Sequence, residues 1–68
     1  MTKYKIKWDY AKAQGPCRAD IKRDFGEDNQ GVIVEGHSDR DAFSKWDLTR
    51  LPGKRYNPFY LKITEVKS

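Results

Sequence analysis

Val32-Ile33-Val34-Glu35-Gly36-His37-Ser38-Asp39-Arg40-Asp41-Ala42-Phe43-Ser44-Lys45-Trp46 carries the change from sheet to helix in this chain of 68 residues. The β-branched run at its start reads as a strand ending at Gly36. A helix start follows at once. Ser38 or Asp39 can cap the free N–H groups, and Asp41, three residues after Ser38, makes a short-armed capping box. Asp39 and Asp41 set negative charge on the positive end of the helix dipole, and Lys45 lies near the other end. Ala42, Phe43 and Trp46 share one helical face, and that face requires a sheet to lie on.

The flanking segments supply strands. Residues 3–10 alternate strictly, with Tyr4, Ile6, Trp8 and Tyr10 on one face and Lys3, Lys5, Lys7 and Asp9 on the other, as in a strand with one side buried and one wet. After a loop ending in Gly15-Pro16, the residues Cys17, Ala19, Ile21 and Phe25 alternate with Arg18, Asp20, Lys22 and Asp24, and Arg23 breaks the pattern like a bulge or strand end. These two segments read as an antiparallel hairpin. The polar stretch Gly26–Gly31 is a surface turn into the strand at Val32–Glu35. Leu48 and Leu51 either extend the helix face or cover the core from a loop. Pro52-Gly53 suits a type II turn, Asn57-Pro58 makes a second break, and Phe59–Val66 forms a last strand with Phe59, Leu61 and Ile63 inward. The expectation is a single α+β domain over residues 1–68, ordered β-β-β-α-β, with a mainly antiparallel sheet and one helix on one face. A small OB-like barrel is the alternative, and it needs another strand from Leu48–Tyr56, where Pro52 and Gly53 oppose pairing.

Composition limits the function. No apolar run approaches the roughly 20 residues that cross a bilayer, and the lysines of Met1–Lys7 exclude the apolar centre of a signal peptide. The one cysteine, Cys17, permits no internal disulfide, so a cytoplasmic location is expected. Residues 1–23 hold seven Lys/Arg against two Asp (+5), residues 24–49 seven acids against Arg40 and Lys45 (−5), and residues 50–68 five Lys/Arg against Glu65 (+4). The pattern either lets basic strands lie near an acidic middle or creates faces of opposite sign.

Catalytic chemistry finds little support. A thiolate nucleophile needs an electropositive setting and a base within reach. Cys17 instead alternates with core residues as a small hydrophobe, and His37 stands solvated before a helix start. One His and one Cys cannot close a zinc site, and Asp24–Asp28 lacks the alternate-position ligands of a calcium loop. No phosphate-binding glycine loop or nucleotide fingerprint is present. The reading is a non-enzymatic chain with no cofactor and no metal.

Binding surfaces are better supported. Arg50, Lys54, Arg55, Tyr56 and Tyr60 combine cations and aromatics in a proline-bounded loop, which suits either stacking on nucleic acid or an aromatic-anchored protein contact. The wet sheet face, with Lys3, Lys5, Lys7, Arg18, Lys22 and Lys62 beside Tyr60, suits phosphate contacts. Cross-strand pairs with Asp9, Asp20 and Asp24 explain that face equally well.

The element order, the small size and a lone helix opening with Val34-Glu35-(three residues)-Asp39 resemble small phage-encoded proteins, among them inhibitors of host RNA polymerase and anti-CRISPR proteins. The resemblance is one of pattern, covers the strand-helix-strand half, and transfers no functional residue. Many such proteins are acidic mimics of DNA, whereas this chain is net basic. What the resemblance implies is a non-enzymatic protein-binding module that occupies a surface of a host complex. Its contacts would be Arg50, Lys54, Arg55, Tyr56 and Tyr60, with Lys3, Lys5 and Lys7 steering approach. The alternative is a nucleic-acid-binding module using the basic face and the same loop. No membrane partner is expected, and the chain is read as a monomer or weak homodimer.

Overall fold

Alternation along the first segment makes β1 (Thr2–Trp8) the centre of a three-stranded antiparallel sheet in the computed structural model, which describes residues 1–49 and 56–67. β2 (Val32–Gly36) flanks β1 on one side, with Tyr4 opposite Val34 and Ile6 opposite Val32. β3 (Leu61–Val66) flanks it on the other, with Ile6 opposite Ile63 and Trp8 opposite Leu61. β2 and β3 therefore run in the same direction with β1 between them. α1 (Arg18–Phe25) joins β1 to β2, and α2 (Asp39–Leu48) joins β2 to β3. The class is α+β, with three strands and two helices among the described residues, and no closed barrel forms there.

The segment read as a second strand is α1. Over so short a span Ile21 and Phe25 satisfy both an alternating and an i, i+4 spacing, and the helix buries both of them. Ala19, which the strand reading placed inward, is exposed. Arg23, which broke the strand pattern, makes an i, i+3 ion pair of 3.0 Å with Asp20, a helical relation. Cys17 is not a core residue: it is exposed, at the N-cap of α1, with no side-chain capping bond.

α2 forms where its cap residues place it. Ser38 Oγ accepts from the Asp41 N–H at 3.1 Å, and Asp41 Oδ2 accepts from the His37 N–H at 2.8 Å, so the box closes one residue earlier than Ser38 itself. Asp41 also pairs with Lys45 at 3.2 Å, one turn on. Ala42 and Trp46 are buried and Phe43 is half-buried, but Leu48 is 79% exposed and does not continue the stripe. Leu51 and the Pro52-Gly53 turn lie outside the described residues. Gly36 allows the close docking of α2: a Cβ there would stand 2.7 Å from the Ala42 backbone nitrogen.

Both helices pack on the sheet face that carries Ile6 and Trp8, and Phe25, Ile21, Trp46 and Leu61 complete the core. Rings dominate it. Phe25 lies 5.5 Å from Trp46 and 5.1 Å from Tyr56, centroid to centroid. Beyond Trp8 the chain leaves the sheet, so Tyr10 is exposed rather than inward. The turn after α1 replaces a further β2 residue with a side chain: Asn29 accepts from the Trp8 N–H at 3.0 Å and donates to the Trp8 carbonyl at 2.8 Å. Asn57-Pro58 breaks the chain as expected, and Pro58–Tyr60 forms a 3-10 turn in which Phe59 is 60% exposed, not inward.

Candidate functional site

The pleat that sends Ile6 and Trp8 into the core sends Lys3, Lys5 and Lys7 to the opposite face. Register adds their neighbours. Lys3 stands between Glu35 and Val66, Lys5 between Ile33 and Thr64, and Lys7 opposite Lys62. This face is open, with Lys3, Ile33, Glu35, Lys62 and Thr64 exposed. Lys5 and Lys7 are half-buried, as expected of stems lying along a sheet with their ammonium groups in water. The Lys5 stem crosses Gly31, whose missing Cβ would stand 2.7 Å from Lys5 Cγ.

Charge on the face is lopsided. The carboxylates that sequence reading placed there are elsewhere: Asp20 and Asp24 sit on α1, each 3.0 Å from Arg23, and Asp9 follows the strand, accepting from the Ala11 N–H. Among the described residues of the sheet, only Glu35 opposes the four lysines on this face. None of Lys3, Lys5, Lys7 and Lys62 is in an ion pair among the described residues, where the pairs lie on the helices and the turn after α1. Lys7 and Lys62 stand directly opposite one another with no acid in their row. Like charges so placed destabilise a sheet.

The other residues assigned to binding separate. Arg18 and Lys22 belong to α1, where they lie 4.0 Å from Asp28 and Glu27. Tyr60 stacks on Trp8, centroids 5.8 Å apart and rings 21° from parallel, and is not a free platform on the sheet. Tyr56 is half-buried among Trp8, Phe25 and Trp46, and its hydroxyl donates to Asp24 at 2.8 Å. Its ring serves the core. Arg50, Lys54 and Arg55 lie outside the described residues.

Sequence reasoning missed Ile33, an apolar residue 52% exposed among the lysines. The alternation of Val32, Ile33 and Val34 held that signal, since one of the three must face away from α2. It also missed a groove of about 600 Å3 between α2 and β3, lined by Asp39, Arg40, Phe43, Ser44, Pro58, Leu61 and Ile63. β3 is the strand least covered by a helix, which leaves the groove open.

The structure does not bring Cys17 and His37 together. Gly36 pairs with Thr2, so His37 follows at the start of β1. Cys17 precedes Arg18, which lines a cleft with Tyr10, Pro16 and Asn29 beyond the other end of that strand. The two stand at opposite ends of β1. Among the described residues no cluster of three or more His, Cys, Asp or Glu side chains could hold a metal ion, and no helix is long and apolar enough to cross a membrane.

No protein-family model matches the chain, and neither a curated protein nor a solved structure shows significant similarity to it.

Proposed function

We propose that this chain is a small non-enzymatic protein-binding module, an inhibitor of the phage-encoded kind that occupies a surface of a partner complex in the cytosol, and that it docks its lysine face on an acidic part of that surface. The supporting observation is the unneutralised pair Lys7 and Lys62, directly opposite each other on an open face. Such a pair costs stability in the free chain, and an acidic partner removes that cost on binding. Ile33 and Val66 on the same face supply apolar contact between the charges. Tyr60, the aromatic expected beside this face, stacks on Trp8 instead, and this weighs against single-stranded nucleic acid held by base stacking.

Nucleic acid is the second reading, favoured by a face on which four of the five charged groups are lysines able to meet phosphates. The two readings part in one experiment. Tagged chain is used to capture partners from a bacterial lysate with and without nuclease, and the captured complex is titrated with salt. A protein partner is retained after nuclease treatment. A phosphate-bound complex loses affinity by orders of magnitude between about 50 and 200 mM salt when many phosphates are contacted. Lys62→Glu should abolish capture while raising folding stability by up to about 1 kcal/mol, because the repelling row becomes an attracting one. Capture unchanged by Lys62→Glu and by Lys3→Glu with Lys7→Glu refutes the assignment of this face.

A further inference from the structure

Among the described residues, β2 (Val32–Gly36) leaves one side of its backbone unpaired. It stands at the edge of the sheet, and among the described residues the backbone of 32–36 makes hydrogen bonds only to β1. The other edge strand, β3, carries the exposed charges of Lys62 and Glu65, which deter pairing. β2 has neither lysine nor proline, its one charge is the exposed Glu35 near its end, and Ile33 at its middle is 52% exposed. A β-branched edge with so few charges is a template for another strand, provided that strand offers a cation to Glu35.

The residues of that edge specify which strand fits. Let a second copy approach antiparallel, with a two-fold axis normal to the sheet at Ile33. Each Ile33 then meets its counterpart on the open face, and Val32 meets Val34 of the second copy on the helix face. Glu35 comes to lie beside Gly31, the residue just before β2, which has a φ of 98° and offers no side chain. The space is filled by Lys5, whose Cγ lies 2.7 Å from where a Gly31 Cβ would be. Glu35 of each copy thus meets Lys5 of the other, twice over. Moving the axis to Val34 sets Glu35 against Ile33 and forfeits both ion pairs. A one-residue slip turns every side chain to the wrong face.

We infer that the chain self-associates through β2 into a two-fold dimer with a continuous six-stranded sheet, held in register by reciprocal Lys5–Glu35 pairs. The helices of both copies share one face of that sheet. The lysines of both copies share the other, so Lys7 and Lys62 stay free.

The test is sedimentation equilibrium of the full chain over a wide range of concentrations at low salt, with no partner present. The wild-type chain should show a concentration-dependent monomer–dimer equilibrium. Ile33→Lys, a change at an exposed position, should be monomeric throughout with an unchanged circular dichroism spectrum. Glu35→Lys should weaken dimerisation by about tenfold, because two symmetric attractions become repulsions. Lys5→Glu combined with Glu35→Lys should restore it. A wild-type chain that stays monomeric at every concentration overturns the inference, as does a dimer that Ile33→Lys leaves intact. A dimer lost with Ile33→Lys but indifferent to Glu35→Lys overturns the register. Because the measurement uses the chain alone, its failure is separate from any failure of the lysine face to bind a partner.

Discussion

α2 begins on two cap hydrogen bonds and α1 on none, although both pack on the same face of the same sheet. Ser38, Asp41 and Lys45 give α2 local reasons to be helical: a capped N-terminus, a carboxylate on the positive end of the dipole and an i, i+4 ion pair. α1 has eight residues, an uncapped Cys17 and an exposed thiol. Helices so short are unstable in isolation, so its stability comes from what it buries. Ile21 and Phe25 are that burial, and the turn that follows is tied to β1 by Asn29. One helix is specified locally and then docked; the other is helical because it is docked.

The largest effect should come from removing the docking of α1. Phe25 is fully buried and contacts the rings of Trp8, Trp46 and Tyr56. Phe25→Ala should cost about 3–5 kcal/mol, read as a lowered urea midpoint. A domain of this length has a total stability of roughly 3–10 kcal/mol, so the variant should be close to unfolded. A loss below about 1 kcal/mol would mean that α1 does not depend on its core contacts.

The same contrast decides what could be read from the chain. The capping residues of α2 and the strict alternation of β1 are local signals, and both elements stand where those signals put them. The lysine ladder came with β1 for the same reason. α1 carried no local signal stronger than its rival. Cys17, Ala19 and Ile21 alternate like a strand, while Ile21 and Phe25 are spaced like a helix, and only packing against Trp8 and Trp46 decides between them. Every surface residue assigned through the strand reading moved with it: Arg18, Lys22, Asp20 and Asp24 left the sheet face, two cations with two acids, so the net charge of the face is unchanged while its lysines lose the carboxylates expected beside them. Tyr56 was misplaced for a different reason. Nothing in Asn57-Pro58 or the cations before it shows that a loop ring returns to the core and donates to Asp24, 32 residues away.

Asn29 sharpens the comparison next, since it ties the C-terminal end of α1 to the sheet. Asn29→Ala removes two hydrogen bonds to the Trp8 backbone, leaving a part-buried N–H and carbonyl unpaired, and should cost about 1–3 kcal/mol. Its backbone has φ of 55°, which Asn tolerates better than Ala and which adds to the loss. Hydrogen exchange should show faster exchange at the Trp8 amide, while α2 keeps its protection.

The caps allow the two helices to be exchanged in kind. Ser38→Ala should cost about 1 kcal/mol, the ordinary loss of an N-cap. Cys17→Ser writes Ser-Arg-Ala-Asp at the start of α1, the same spacing of cap and carboxylate as Ser38 and Asp41. Cys17 already has extended cap geometry, at φ −62° and ψ 161°. The substitution should therefore stabilise by up to about 0.5–1 kcal/mol, less if Asp20 keeps its partner Arg23. Equal and opposite shifts in the two urea midpoints would show that a missing cap is the main local difference between the helices. No gain from Cys17→Ser would leave α1 wholly dependent on packing.

The smallest effect lies in the pH dependence of the α2 cap. The backbone N–H of His37 and, after it, Lys45 hold the Asp41 carboxyl below its ordinary value of 3.8. A carboxylate whose pKa is lowered by folding contributes stability above its unfolded pKa and loses it as pH falls through its folded pKa. Wild-type stability should then fall on acidification below about pH 4, and Asp41→Asn should remove that part of the slope. The variant should be less stable than wild type at neutral pH and converge with it in acid. Because Asp41 is solvent-accessible, added salt should shrink the Lys45 share of the difference and spare the His37 hydrogen bond. Parallel pH profiles for the two proteins would mean that the cap does not sense the charge, and that Ser38 alone starts the helix. α1, with no such cap at Cys17, should keep the hydrogen-exchange protection of its amides through the pH range in which α2 begins to fray.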